Sequence, residues 1–127
     1  MIERITDLPD QVLGVKASGE VTADDYKQVL VPALEEKLGQ HRKVRLLYVI
    51  GDGFTGYTGG AAWEDAKVGM KHLTAFERVA IVTDVDWIGN MVKAFGFVMP
   101  GEVRVFDDDI GEARRWISEP LAAVGES

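Results

Sequence analysis

The chain of 127 residues contains no cysteine. This excludes disulfide bonds, thiolate nucleophiles and zinc sites built from cysteine, and it is typical of proteins that stay in a reducing compartment. Histidine is also scarce, since only His41 and His72 are present and they lie 31 positions apart. Two such distant imidazoles do not suggest a transition-metal centre, and we predict neither a metal ion nor another cofactor.

Positive charge is in short supply: 14 lysines and arginines stand against 21 acidic residues, for a net charge of -7. Phosphate backbones and anionic membrane surfaces repel such a chain, so we expect no nucleic-acid partner. The basic run at residues 41–45 is interpreted as a solvated loop and strand edge. No apolar run approaches the roughly 20 residues that span a bilayer, and residues 1–4 do not resemble a signal peptide. We therefore expect a cytoplasmic protein with no transmembrane segment.

The hydrophobic pattern predicts one α/β domain over residues 1–120, followed by a tail at 121–127 that is expected to fray. Two short strands at residues 2–5 and 12–17 should form an antiparallel hairpin. Apolar strands at 44–50, 79–83 and 103–105 then alternate with helices. The predicted order is ββαβαβαβα, a mostly parallel five-stranded sheet with one antiparallel edge strand and four helices.

Helix boundaries are predicted from capping residues and proline. Thr22 is placed to cap the first helix, and Pro32 inside that helix is expected to kink it. Asp86 is expected to cap the third helix, over residues 87–99. Asp109 and Glu112 have the spacing of a capping box for the fourth helix.

A glycine-rich segment at residues 51–60 includes the spacing of a dinucleotide fingerprint, Gly51-x-Gly53-x-x-Gly56. In a true fingerprint the glycines open a helix directly, whereas here helical periodicity resumes only near Ala61. The acidic residue expected about 20 positions later would fall at the start of a strand instead of its end. We interpret the segment as a mobile loop, with generic anion binding at the next helix as the alternative.

Catalytic chemistry is poorly supplied. None of the three serines lies in a nucleophile elbow, and the acidic run at residues 107–109 is explained by helix capping more simply than by calcium binding. Asp84, Asp86 and His72 are the remaining candidates for an enzyme. We rank that possibility third and predict no enzymatic activity.

The third helix is apolar almost all round, whereas a helix on a sheet needs only one apolar stripe. Its extra surface is explained either by neighbouring helices and a second subunit, which would make the protein a homo-oligomer such as a dimer, or by an apolar ligand pocket. Aromatic residues on and after the glycine segment are predicted to form a lid over that pocket. The candidate pocket and lid residues are Phe54, Tyr57, Trp63, Trp87, Met91, Phe95 and Met99.

Several segments together resemble the SpoIIAA-like family, which is related to STAS domains and to the CRAL-TRIO lipid-binding fold. The resemblance covers roughly residues 1–120. Its segments are Asp25-Tyr26, Pro32-Ala33-Leu34, Phe76 to Asp84 followed by Trp87, Pro100 to Phe106, and Glu112-Ala113 with Trp116.

Two functions are implied by this resemblance. STAS domains are regulatory interaction modules, some of which switch on phosphorylation of a serine at the start of the helix after a central strand. No serine occupies the matching stretch, which leaves Thr55 and Thr58 as candidate phosphorylation sites. CRAL-TRIO domains instead enclose an apolar molecule. Our leading prediction is a non-catalytic domain that binds a small apolar ligand or a protein partner, and the alternative is a phospho-regulated switch.

Overall fold

The computed structural model describes residues 1–60, 67, 71, 73–96, 101–107 and 109–119. Its elements are strand β1 (Ile2–Ile5), strand β2 (Val12–Val21), helix α1 (Ala23–Asp25), a π-helical segment (Tyr26–Leu30), helix α2 (Val31–Gln40), strand β3 (Val44–Tyr57), a 3₁₀ turn (Leu73–Ala75), strand β4 (Phe76–Val82), helix α3 (Asp86–Gly96), strand β5 (Glu102–Phe106) and helix α4 (Ile110–Ser118). Residues 59, 60, 67 and 71 are also helical. Most of the second predicted helix lies outside the described residues.

The five strands form one mixed sheet in the order β1-β2-β3-β4-β5. Strand β1 is antiparallel to β2, and each later strand runs parallel to its neighbour. This arrangement confirms the predicted α/β architecture with an antiparallel edge strand. The strand order is sequential, so right-handed crossovers place the connecting helices α2 and α3 on the same side of the sheet.

Hydrophobic side chains form a separate core on each face of the sheet. On one face, which we call the α2 face, Leu30 and Leu34 pack on the strands together with Val92 of α3. On the opposite face, called the α4 face, Trp116 and Ile117 of α4 cover the strands. Strand β3 contributes to both cores, as its continuous apolar run predicts for a strand covered on two sides.

Capping at Thr22 and Asp109 is confirmed. The Thr22 hydroxyl accepts the Asp25 backbone N–H at 3.3 Å, and the Asp25 carboxylate accepts the Thr22 N–H at 2.8 Å, which completes a capping box. Asp109 accepts the Glu112 backbone N–H at 2.9 Å. The Glu112 carboxylate, however, accepts hydrogen bonds from Arg115 at 3.0 and 3.1 Å, so the predicted reciprocal bond of this second box is replaced by an ion pair within the helix.

Two expectations about helices need correction. Instead of a simple kink, the chain forms the π-helical segment before Pro32, with the Val31 N–H bonded to the Tyr26 carbonyl five residues earlier. Pro32 then lies in the first turn of α2, directly after the π-helical segment, and contributes no backbone N–H to this continuous helix. Asp86 is the first residue of α3 and not its cap. The carbonyl of Val85 accepts the N–H groups of Ile88 and Gly89 at 3.1 Å.

The predicted mobile loop at residues 51–60 is wrong over residues 51–57, which extend strand β3. From Phe54 onward they pair with the last residues of β2, which itself continues past Gly19 to Val21. Gly51 lies close to β2, because a Cβ at that position would lie 3.1 Å from the Ala17 carbonyl oxygen. The glycines therefore lie within a strand and do not form the tight turn of a dinucleotide site.

Candidate functional site

The end of β3 is shaped by irregular pairing with β2. Gly19 pairs with Phe54 and the next residue, Glu20, pairs with Gly56, so Thr55 is an extra residue in the ladder. Gly56 has φ +141°, a conformation that favours glycine. Bulges of this kind re-aim the side chains that follow them. As a result, Phe54 and Tyr57 both reach the α2-face core although they are three positions apart.

Phe54 and Tyr57 contact each other at this strand end. Their ring centroids are 5.1 Å apart and the ring planes meet at 64°, an edge-to-face arrangement that aromatic pairs prefer. Both side chains are half-buried. They therefore combine contact with the core and contact with solvent.

All three tyrosines of the chain meet through their hydroxyl groups. The Tyr57 hydroxyl donates to that of Tyr48 at 3.2 Å, and the hydroxyls of Tyr48 and Tyr26 are also 3.2 Å apart. Tyr26 is fully buried and Tyr48 is 5% exposed. We call Tyr26, Tyr48, Tyr57 and Phe54 the aromatic cluster.

The aromatic cluster introduces polar atoms into an otherwise apolar core. A buried hydroxyl requires a hydrogen-bond partner, and each one can both donate and accept. The cluster thus provides directional hydrogen bonding within this core. Tyr26 also begins the π-helical segment, and such segments occur frequently at functional sites.

The structure describes the other candidate pocket residues only in part. Trp63 and Met99 lie outside the described residues, as does His72, a candidate residue of the enzyme hypothesis. Trp87, Met91 and Phe95 belong to helix α3, but their side chains lie outside the description. Of the seven residues predicted for the pocket and lid, the structure brings together Phe54 and Tyr57. The remaining five stay predictions.

The two candidate phosphorylation sites occupy different positions. Thr55 is exposed and lies within strand β3, at the bulge. Thr58 is half-buried and directly precedes the helical residues 59 and 60, and its N–H bonds to the Val21 carbonyl at 2.9 Å. Only Thr58 therefore has the position at a helix start that the family resemblance implied.

The proposed catalytic carboxylates are open to solvent. Asp84 and Asp86 are both exposed. The buried polar group nearby is Thr83, whose hydroxyl accepts the Val85 N–H at 3.0 Å. Among the residues that the structure describes, no group of three histidine, aspartate or glutamate side chains is arranged to hold a metal ion. No helix in the described ranges is long and apolar enough to cross a membrane.

The beginning of β3 contains a different polar arrangement, centred on Arg45. This residue is 5% exposed, which corrects the interpretation of residues 41–45 as wholly solvated. Its Nε donates to Glu77 at 2.8 Å, and one Nη donates to the carbonyl of Ile117 at 2.9 Å and to that of Glu119. Gln11 donates to the same Glu77 carboxylate at 3.0 Å. A depression of about 310 Å³ lies beside these groups.

Arg78 on β4 reinforces this arrangement. Its guanidinium donates to the Trp116 carbonyl at 2.8 Å and to Glu119 at 3.2 Å, and lies 4.8 Å from the centre of the Trp116 ring. Its Nε lies 3.3 Å from Glu102 without forming an aligned hydrogen bond. Two buried cations thus meet the C-terminal carbonyls of α4, where the helix dipole favours positive charge. Their donors are used to anchor α4, which indicates a structural role.

Sequence reasoning missed Tyr26, Tyr48 and the buried arginines. A weak signal was present for Tyr48 and Arg45, because both are polar residues inside an apolar strand. Tyr48 contacts Tyr26, 22 positions away, as well as Tyr57, nine positions away. Arg45 contacts Glu77, 32 positions away, so the sequence next to each residue does not reveal its partners.

Comparison with known proteins gives a consistent result. A family model described as SpoIIAA-like matches residues 12–118. A crystal structure of an uncharacterised protein from Shewanella loihica with a SpoIIAA-like fold is 31% identical to this chain, with a TM-score of 0.72, and the alignment covers 92% of each chain. No curated protein matches the chain at a significant level.

Proposed function

The chain belongs to the SpoIIAA-like family, and we propose that it is a non-catalytic cytoplasmic domain that binds a small apolar ligand at the aromatic cluster. The observation that carries this proposal is the meeting of three tyrosine hydroxyls beside the half-buried pair of Phe54 and Tyr57. The rings offer apolar contact area and the hydroxyls offer direction. Ligand sites commonly combine these two properties.

The position of the cluster in the sheet supports the proposal. Phe54 and Tyr57 lie at the carboxyl end of a central parallel strand, which is the edge where α/β sheets usually bind ligands. Tyr57 is half-buried, so a ligand that contacts it also approaches the hydroxyls of the two buried tyrosines. Val92 of α3 packs on the same core. The predicted pocket residues on that helix extend the proposed site.

The proposed absence of catalysis rests on the environment of the candidate acids. General acids and bases need a pKa tuned by burial or by a charged neighbour. Asp84 and Asp86 are exposed, so neither has the burial that tunes a catalytic carboxylate.

Native mass spectrometry of freshly purified protein, followed by organic extraction, tests ligand binding. The wild-type chain should carry a discrete additional mass that leaves on denaturation. Phe54→Ala should reduce its occupancy at least about tenfold, because it removes one ring of the aromatic pair. Tyr57→Phe retains the ring and removes a hydroxyl, so it separates apolar contact from hydrogen bonding.

Thr55→Ala is the matched control for these variants, since Thr55 is exposed on the same strand between the two aromatic residues. It should retain the full additional mass. An apo mass for wild-type protein at every stage of purification would contradict the ligand proposal and transfer attention to a protein partner. Equal losses in Phe54→Ala and Thr55→Ala would place the ligand elsewhere.

The phospho-regulated switch is the second candidate, favoured by the position of Thr58 immediately before the helical residues 59 and 60. An added phosphate there would meet the helix N-terminus favourably. The test compares Thr58→Glu with Thr55→Glu in pull-downs of interacting proteins from the native host. A change in captured proteins with the first variant only would support the switch, and identical capture by both variants and wild type would oppose it.

A further inference from the structure

Strand β5 is the last strand of the sheet, and no other strand within the described ranges pairs with its outer edge. The Thr83 N–H bonds to the Phe106 carbonyl at 3.0 Å, so the backbone of Phe106 faces inward from this edge. Because backbone direction alternates along a strand, the N–H and C=O groups of Val103 and Val105 point outward. An outward row of this kind is a template for another strand.

The side chains of this strand divide between the two faces of the sheet. Glu102 and Arg104 are exposed, and Arg104 lies 5.1 Å from the centre of the Trp116 ring on the α4 face. Val103 packs on the α2-face core. The edge therefore presents one acidic and one basic side chain on the same face, separated by a single valine.

We propose that two copies of this chain pair through antiparallel β5 strands, with a twofold axis at Val103. In this register Glu102 lies opposite Arg104 of the second copy, and the converse pair forms on the other side of the axis. The two valines at the axis exchange backbone hydrogen bonds. Opposite charges on facing residues stabilise an antiparallel pair, and a self-complementary patch is what a twofold interface requires.

The charges also select this register over its neighbour. Moving the axis to Arg104 would bring two arginines directly opposite each other, which is destabilising. Registers centred between residues would align side chains that point to opposite faces of the combined sheet. The register centred on Val103 satisfies both the charges and the outward backbone groups.

The opposite edge of the sheet lacks this complementarity. In β1, Glu3 and Arg4 are adjacent and therefore point to different faces. A twofold axis at either residue opposes two identical charges. The charge pattern thus assigns self-association to β5.

The interface is short, since β5 spans Glu102–Phe106. Stable interfaces generally bury more than about 1,000 Å². We therefore expect a reversible dimer whose population rises with protein concentration over the micromolar to millimolar range. Such an association differs from ligand binding at the aromatic cluster and does not depend on it.

Sedimentation velocity over a concentration series tests the pairing. Glu102→Arg and Arg104→Glu should each weaken dimerisation at least about tenfold, because each opposes like charges twice in one dimer. An equimolar mixture of these two variants should recover the association as a heterodimer, since every facing pair is then opposite in charge. Circular dichroism and thermal unfolding of each variant establish that it is folded.

A single cysteine gives an independent measurement, because the natural chain has none. Val103→Cys should form a disulfide-linked dimer on mild oxidation, while the exposed control Thr55→Cys should not. The proposal is overturned by a wild-type monomer at all concentrations, by dimerisation that survives both charge reversals, or by a mixture that remains monomeric. Recovery in the mixture together with selective cross-linking supports it.

Discussion

The parallel strands stabilise buried polar groups in different ways at their two ends. Where the strands begin, charged Arg45 and Arg78 are surrounded by carboxylates and by the last carbonyls of α4. Where they end, the buried polar atoms belong to neutral hydroxyls, those of Tyr48 and Thr83 among them. A buried charge must be fully paired, and its partners then hold one geometry. Rearranging hydroxyl groups costs less free energy than rearranging buried charges, which suits the end of the sheet at which we propose ligand binding.

The largest effect is expected from removing a buried charge where the parallel strands begin. Arg45→Met removes the cation beside Glu77 and the donor to the carbonyls of Ile117 and Glu119, and should lower the free energy of unfolding by about 3 kcal/mol. Urea denaturation measures the loss. The exposed pair of Arg4 and Glu36 supplies the control, because Arg4→Met should cost less than about 1 kcal/mol. Equal losses would mean that the Arg45 network does not anchor α4.

The next largest effect is expected where the strands end, in the aromatic cluster. Tyr48→Phe removes the central hydroxyl of the aromatic cluster, so the fully buried Tyr26 loses that contact, at a cost of about 1.5 kcal/mol. Tyr57→Phe should cost less, since Tyr57 is half-buried. The same denaturation measurement applies. A larger loss for Tyr57→Phe would reverse the proposed order of importance.

A smaller effect is expected from the backbone that aims Tyr57. Gly56→Ala forces a side chain into φ +141° and should cost about 1 kcal/mol while changing the near-ultraviolet circular dichroism of the tyrosines. Gly53→Ala is the matched control, because a Cβ there meets nothing within 4 Å. If both substitutions leave the spectrum unchanged, the bulge does not position the cluster.

The smallest expected effect is a dependence of folding stability on pH, caused by Asp7 and Asp10. Arg114 lowers the pKa of Asp7 chiefly by hydrogen bonding, and His41, assisted by Lys37, lowers the pKa of Asp10. Since these pKa values are lower in the folded state, the stabilisation is present above the ordinary carboxyl pKa and is lost as pH falls below about 4. Both residues lie in the turn before β2, at the end of the sheet where the parallel strands begin.

Thermal unfolding between pH 6 and pH 3 measures this contribution. The double substitution Asp7→Asn with Asp10→Asn should lower the midpoint at pH 6 and flatten its dependence on pH. Asp25 remains as an internal reference: burial raises its pKa, but hydrogen bonds from Thr22 outweigh burial and the net pKa is lowered. An unchanged pH dependence in the double variant would show that the turn contributes no acid-sensitive stability.

Local chemistry made much of the fold predictable. The caps at Thr22 and Asp109 act within three residues, so their side chains identify helix starts directly. The apolar runs of β3 and β4 indicate strands covered on both faces. The extension of β3 through residues 51–57 was not predictable, because glycines disfavour strands and only pairing with β2 beyond Gly19 overcomes that preference.

The sequence by itself determined the α/β class, the antiparallel edge strand and two helix caps, because these depend on periodicity and on neighbours a few residues apart. Tertiary structure alone decided that the three tyrosine hydroxyls meet and that Arg45 is buried against α4. Tyr26 and α4 belong to elements other than β3, which contains Tyr48 and Arg45, and the intervening chain contains no pattern that encodes a distance across the sheet. The aromatic residues of the candidate site were therefore predictable in part from the sequence, whereas its hydrogen bonds could be identified only from the tertiary structure.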